Sequence, residues 1–267
     1  MSVNVSLSSP SVAFGATSPW RGRIFGALKT AAQRIIAFAL PPRCAGCGLV
    51  VAADHSFCLV CWQSLDFLGG PACAVCAEPL ELALHPDTRC GACLADPPPF
   101  DRVRAAVAYG PIARALALKL KHGARPGVAI TMARAMRRAA PAMAAETLIV
   151  PVPLHRRRLW SRGYNQSALI ARALSKLTGG TLALDLLERR MSTPMLRGLN
   201  PGQRARTVAG AFAVNGTIKG RSVVLIDDVY TTGATVRACA KVLRRAGATR
   251  IEVLCWARVV RDDAVLR

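Results

Sequence analysis

From Val103 onward the apolar residues fall into short runs separated by helical stripes. Val103–Tyr109, Thr147–Val152, Arg221–Ile226 and Ile251–Ala257 are rich in aliphatic and β-branched residues, which predicts strands. Pro111–Lys121, Ile130–Ala145, Tyr164–Leu177 and Ala234–Ala246 repeat their apolar residues at three- and four-residue spacing, which predicts helices. Thr181–Leu187 reads as short and extended. Strands and helices in alternation predict an α/β fold, with a mainly parallel sheet and helices on both faces.

Upstream the pattern changes. Residues 1–19 are Ser-rich, and Trp20, Ile24, Leu28, Ala31, Ile35 and Ala39 recur at helical spacing with Arg and Lys between them. That stretch predicts an amphipathic helix packing on its own protein; a transit peptide or a membrane-surface helix is the alternative. Residues 41–96 are poor in large apolar side chains, and Asp96-Pro97-Pro98-Pro99-Phe100 resists both helix and strand. Three regions follow: a mobile N-terminus and short helix at 1–40, a cysteine-rich module at 41–96, and the α/β domain at 101–267.

The cysteines give the module its chemistry. Cys44-x2-Cys47, Cys58-x2-Cys61, Cys73-x2-Cys76 and Cys90-x2-Cys93 place eight thiols in fifty residues. Each CxxC turn directs two sulfurs at one ion, and two turns complete a tetrahedral tetrathiolate site of the zinc-ribbon kind. Disulfides need an oxidising compartment, and an iron–sulfur cluster fits evenly repeated paired knuckles less well. Two structural zinc ions are therefore expected, and neighbours in sequence are the simpler pairing. His55 and His85 read as surface residues, and Cys239 and Cys255 as core. Structural zinc contributes about 10–16 kcal/mol per site in small peptides, enough to fold a segment with so little core.

Charge sharpens the division. Of 36 Lys+Arg and 15 Asp+Glu, residues 1–100 hold 6 of each, so the formal net charge of +21 lies entirely in residues 101–267. Each tetrathiolate zinc centre carries −2, so two of them lower the formal +21 to about +17 and make the module acidic. Residues 102–162 carry 13 basic groups against the single acid Glu146, a density suited to an anion. Neither a secretory signal nor about 20 consecutive apolar residues is legible, which predicts a cytoplasmic protein without a membrane span.

The sharpest segment is Val223–Thr235. The apolar run Val223–Ile226 delivers Asp227 and Asp228 to a strand end, and the loop Thr231-Thr232-Gly233-Ala234-Thr235 runs straight into a helix. A helix N-terminus offers unpaired N–H groups to a phosphate, and adjacent carboxylates beside it suit sugar hydroxyls or Mg²⁺. It is not a P-loop, because no Gly-Lys-Ser/Thr follows. The constellation asks for a ribose phosphate.

This segment resembles the phosphoribosyl pyrophosphate motif of type I phosphoribosyltransferases. From Pro41 to nearly its end, the chain resembles the ComF family (ComF/GntX). The resemblance is carried by the double cysteine ribbon, Tyr109-Gly110-Pro111, Leu120-Lys121, and Pro151-Val152-Pro153-Leu154-His155. Arg158, Arg162-Gly163-Tyr164-Asn165-Gln166, Arg204 and Gly210-Ala211-Phe212 complete it. It implies a phosphoribosyltransferase-like fold in which Asp227 and Asp228 hold the ribose hydroxyls and Thr231–Thr235 cradle the 5′-phosphate. Pro153 and Leu154 would face the pyrophosphate, and His155–Arg162 would form a mobile basic loop over it. Arg158, Arg162 and Mg²⁺ would neutralise the leaving group, with Arg156 and Arg157 accessory. The chain departs from the family's pattern at Leu196 and Thr207.

Two functions follow from the resemblance. One is a Mg²⁺-dependent, phosphoribosyl pyrophosphate-binding transferase acting on a nucleobase-like acceptor. The other is a non-catalytic single-stranded DNA-handling accessory of natural competence. A third, separate reading is a protein-interaction module whose ribbons dock a DNA-uptake or replication protein.

Overall fold

In the computed structural model, which describes residues 41–123, 125–191, 203, 207 and 210–260, the cysteine-rich region contributes two short helices. These are α1 (Leu59–Gln63) and α2 (Gly91–Ala95). After them come β1 (Arg102–Ala108), α3 (Pro111–His122), α4 (Val128–Met136), β2 (Leu148–Pro151), α5 (Arg156–Arg162) and α6 (Gln166–Thr178). The chain continues through β3 (Thr181–Leu182), β4 (Leu187–Arg189), β5 (Phe212–Val214), β6 (Ser222–Tyr230), α7 (Ala234–Arg245) and β7 (Arg250–Arg258). The helix expected at Trp20–Leu40 and the Leu196 departure lie outside the described residues.

Five strands form a sheet in the order β1-β7-β6-β2-β3, every pair parallel, as the βα alternation requires. Its central strands bury nearly continuous apolar runs, Val223–Ile226 in β6 and Ile251–Ala257 in β7, because both faces are covered. One face packs against α3, α4 and α6 through Leu116, Leu120, Met132, Ile170 and Trp256. The other packs against α7 and the β4–β5 hairpin through Val236, Leu243, Phe212 and Leu225. Cys239 and Cys255 are buried in this second core, as expected.

Local rules account for the helices that frame the site. Pro111 stands at the start of α3, where its missing N–H costs nothing. Ala113, Leu116, Ala117 and Leu120 form that helix's buried stripe, and Lys119, Lys121 and His122 complement the dipole at its end. Asn165 caps α6, its side chain accepting from the Ser167 N–H at 3.0 Å.

Four expectations need correction. The helix read as Ile130–Ala145 stops at Met136, because Pro141 has no N–H and disfavours helical backbone before it. Thr181–Leu187 divides: β3 extends the sheet edge, and β4 turns away to pair antiparallel with β5. Strand β6 does not end at Ile226 but runs to Tyr230, since β7 stays in register as far as Tyr230↔Arg258. His155–Arg162, implied to be a mobile loop, holds the short helix α5, capped by His155 Nδ1 accepting from the Arg157 N–H at 3.3 Å.

The cysteine module is a structural duplication. Cys44 N–H donates to Leu49 O and Cys73 N–H to Glu78 O, both at 2.7 Å. Arg43↔Val50 and Ala72↔Pro79 are matching antiparallel bridges. Gly48 and Ala77, equivalent in the repeat, both take left-handed backbone, at φ 86° and 56°. The module also shares the domain's core: Cys73, Val75, Cys76 and Cys93 pack in the same cluster as Val103, Tyr230 and Val236. Residues 96–101 carry neither helix nor strand, yet residues from Arg43 onward form one compact unit.

Candidate functional site

The eight module cysteines gather as two groups, Cys44-Cys47-Cys58-Cys61 and Cys73-Cys76-Cys90-Cys93, with all four sulfurs of each group within 4.8 Å. The pairing by neighbours in sequence is the arrangement found. Tetrahedral bonds of about 2.3 Å to zinc set sulfurs about 3.8 Å apart. The Cys47–Cys58 and Cys76–Cys90 sulfurs lie at 3.6 and 3.7 Å, so the donor sets fit the ion. Neither His55 nor His85 belongs to a cluster. Four thiolates on one ion would close each site and leave no position for a reacting water.

The acidic pair lies within β6, and its side chains reach a cavity of about 440 Å³. Asp227 Oδ1 accepts from the buried Ser167 hydroxyl at 3.2 Å and from the Asp228 N–H at 2.9 Å. Burial, then the neighbouring Asp228 carboxylate, pushes Asp227 up to about 7. Asp228 is buried, with Lys121 Nζ 2.5 Å from its Oδ2. Burial alone would lower Lys121, but the Asp228 carboxylate outweighs it and holds the ammonium above its ordinary value.

The loop after β6 turns at Gly233, whose φ of 75° favours a residue without a Cβ. Space demands glycine as well, since a Cβ there would meet Tyr230 Oη at 2.5 Å. The turn leads directly into α7, with Gly233 as its cap, so the N–H groups of the first turn face a small hollow lined by Asp227 and Thr231–Val236. Thr231 and Thr235 line both this hollow and the main cavity, while Thr232, Gly233 and Ala234 line the hollow alone. The acidic pair and the Thr/Gly turn therefore adjoin.

Pro153, Leu154 and Arg158 line the same cavity as the acidic pair. Arg162 does not line it; its guanidinium donates to Gln166 Oε1 at 3.2 Å, and Gln166 does line it. Four further polar residues line the cavity without having been read as site residues: Tyr109, Lys121, Ser167 and Arg189. Burial, then Arg158, lowers Arg189 from its usual range. Lys121 carried a signal only through the Leu120-Lys121 match. Arg189 carried none, because the β4–β5 hairpin that delivers it is assembled from segments far apart in sequence. Two larger cavities of about 590 Å³ lie elsewhere, one beside the second ribbon and one at the opposite end of the sheet, and neither includes a Thr/Gly turn at a helix start. Among the described residues no helix is long and apolar enough to cross a membrane.

A parallel sheet whose acidic strand leads through a Thr/Gly turn into a helix defines the phosphoribosyltransferase-like class, and residues 170–263 match the phosphoribosyl transferase domain family. Residues 35–94 match the double zinc ribbon domain family. The chain is 32% identical over 228 residues to DNA utilization protein YhgH of Salmonella typhimurium, covering 83% of this chain and 99% of that one. It is 30% identical over 227 residues to Competence protein F of Haemophilus influenzae, covering 81% and 96%. The chain belongs to the ComF family. Among solved structures, a purine phosphoribosyltransferase from Pyrococcus horikoshii matches at a TM-score of 0.29 and 21% identity over 50% of this chain and 76% of that one, which adds no weight.

Proposed function

We propose that the protein binds phosphoribosyl pyrophosphate with Mg²⁺ and transfers the phosphoribosyl group to a nucleobase-like acceptor. The observation that carries this reading is the convergence of Asp227, Asp228, Thr231, Thr235, Pro153, Leu154 and Arg158 on one cavity beside a helix N-terminus. In the reaction the bond from sugar C1 to the pyrophosphate oxygen breaks with its electron pair leaving on oxygen, a bond from C1 forms with the acceptor nitrogen's lone pair, and that nitrogen's proton passes to solvent. Asp227 and Asp228 would hold the ribose hydroxyls, and the first-turn N–H groups and threonine hydroxyls would hold the 5′-phosphate. Arg158 adds positive charge where the pyrophosphate departs, and Arg162 acts from behind through Gln166. Mg²⁺, held through the carboxylate pair and the ligand's own oxygens, would supply further neutralisation of the leaving group. Equilibrium dialysis with phosphoribosyl pyrophosphate tests the reading. It predicts saturable binding that needs Mg²⁺ and is displaced by ribose 5-phosphate; well-folded protein that binds none contradicts it.

A second reading, single-stranded DNA handling, is favoured by Trp160. Helix α5 has no buried residue, and Trp160 is 83% exposed between Arg156, Arg157, Arg158 and Arg162. An exposed aromatic ring among arginines suits stacking on a base beside its phosphates, and two relatives are named for DNA utilization and competence. Binding of labelled single strands is expected to weaken with salt, log K falling by about 0.7 per phosphate contacted for each tenfold rise. Trp160→Ala is expected to weaken it by about 1–3 kcal/mol. Binding indifferent to both changes contradicts this reading.

A further inference from the structure

Arg258, the last residue of β7, is 3% exposed and sits between the second ribbon and the phosphate-side loop. Its guanidinium donates to the Cys76 carbonyl and to the buried Glu78 carboxylate, and lies 3.9 Å from Cys76 Sγ. The same guanidinium carbon lies 5.2 Å from the Tyr230 ring centroid, a cation–π contact reinforced by the Tyr230↔Arg258 pairing of β6 and β7. The far edge of the Tyr230 ring is what crowds Gly233, the residue at which the loop turns into α7. A second tie runs parallel to this one: Arg237, in the first turn of α7, donates to the Asp96 carboxylate at 3.0 Å and its carbonyl at 2.9 Å, just beyond α2.

The first ribbon is tied elsewhere. Lys119 on α3 donates to the carbonyls of Ala45 and Gly46 at 2.7 and 2.5 Å, two residues before the lysine that faces Asp228. Each ribbon thus braces a different wall of the cavity.

We infer that Arg258 is a positioning residue that transmits the fixed geometry of the second four-cysteine knuckle, through Tyr230, to the Gly233 turn. The contacts require it to act as a wedge. Four thiolates on one ion hold the Cys76 carbonyl in place, that carbonyl and Glu78 orient the guanidinium, and the guanidinium holds the Tyr230 ring against the loop. A buried guanidinium with its carboxylate has few alternative arrangements, because moving either one alone leaves a buried charge uncompensated. Order in the phosphate-side loop therefore depends on the second ribbon, and the first ribbon serves the Lys121 wall instead.

The test uses full-length protein carrying Arg258→Lys, which keeps a charge beside Glu78 but cannot fork to the Cys76 carbonyl. A second variant, Arg258→Met with Glu78→Gln, leaves no buried charge alone. Released zinc is expected to remain at two per chain in both. Amide exchange at Thr231–Ala234 is expected to quicken by about tenfold while α3 is unchanged, and ribose 5-phosphate to bind about tenfold more weakly. Exchange at Thr231–Ala234 that stays at the wild-type rate in both variants overturns the inference, as does a uniform rise across α3 and α7 alike. Only the ligand arm rests on the ribose phosphate reading. If wild type binds no ribose 5-phosphate but the exchange change is confined to the loop, that reading fails and the positioning role stands.

Discussion

Lys121 Nζ lies 2.5 Å from Asp228 Oδ2, so the acidic strand meets an ammonium supplied by the end of α3. Two adjacent carboxylates in a largely buried site repel each other, and this lysine offsets the repulsion before any ligand arrives. Removing it leaves Asp228 buried without its counter-charge. Lys121→Met is expected to cost about 2–4 kcal/mol in urea unfolding at pH 8, and distinctly less near pH 5, where Asp227, pushed up to about 7, is protonated and no longer repels its neighbour. Equal losses at both pH values would contradict the charge-offset role.

Asp227 gives a second pH signature. Its folded value, about 7, lies above the ordinary 3.8, so between these two values the folded state binds more protons than the unfolded one. Stability from this group is therefore present at low pH and lost as pH rises through about 7. Asp227→Asn removes that loss and is expected to be more stable than wild type by about 1–3 kcal/mol at pH 8, with little difference near pH 4. A gain in stability with a loss of ligand binding is the mark of a strained functional site; destabilisation at pH 8 would argue against it.

Gly233→Ala combines a left-handed backbone with a Cβ 2.5 Å from Tyr230 Oη. The turn must open or Tyr230 must move. A cost of about 2–4 kcal/mol is expected in thermal or urea melts, together with lost affinity for ribose 5-phosphate. Gly210→Ala also substitutes a left-handed glycine, at φ 70°, but meets no atom within 4 Å, so it should cost less.

The ribbons are not a detachable appendage. Val103 N–H donates to Val75 O at 2.6 Å, Arg102 Nε donates to Ala74 O at 3.0 Å, and the second knuckle packs in the same cluster as Val103 and Tyr230. A fragment beginning at Asp101 is expected to be insoluble or to melt well below the full chain, because it exposes that core. Chelating zinc from the full chain should lower the melting temperature of the sheet itself. A fragment that melts cooperatively at the full-length temperature would show the two regions to be independent.

Much of this was legible because it is written locally. Val223–Ile226 and Ile251–Ala257 are apolar runs that a buried strand explains, and four CxxC turns announce two four-cysteine sites, with sequence neighbours as the simpler pairing. What was not legible depends on distant partners. The end of β6 is set by β7, which carries the strand on through Asp227 and Asp228 to Tyr230. Arg189 enters the cavity on a three-residue strand whose partner, Phe212–Val214, has no signature of its own. Lys121 stands in the last turn of a helix, where a cation is equally at home facing water. Arg258 follows the apolar run Ile251–Ala257 and carries no local sign of burial, which comes from its contacts with Cys76 and Glu78 in the second ribbon. Pro141, by contrast, is visible in the sequence, and its missing N–H is enough to stop a helix short of Ala145.

The central claim is that Asp227, Asp228 and the Thr231–Thr235 turn form a ribose phosphate site. It is tested most directly by calorimetric titration of phosphoribosyl pyrophosphate with Mg²⁺ into wild type and into Asp227→Asn/Asp228→Asn. The account predicts one saturable site per chain in wild type and at least about a hundredfold weaker binding in the double variant, from the loss of two charged hydrogen-bonding groups. Equal affinity in both proteins, or no heat of binding in a wild type that is folded and holds two zinc ions, would contradict it.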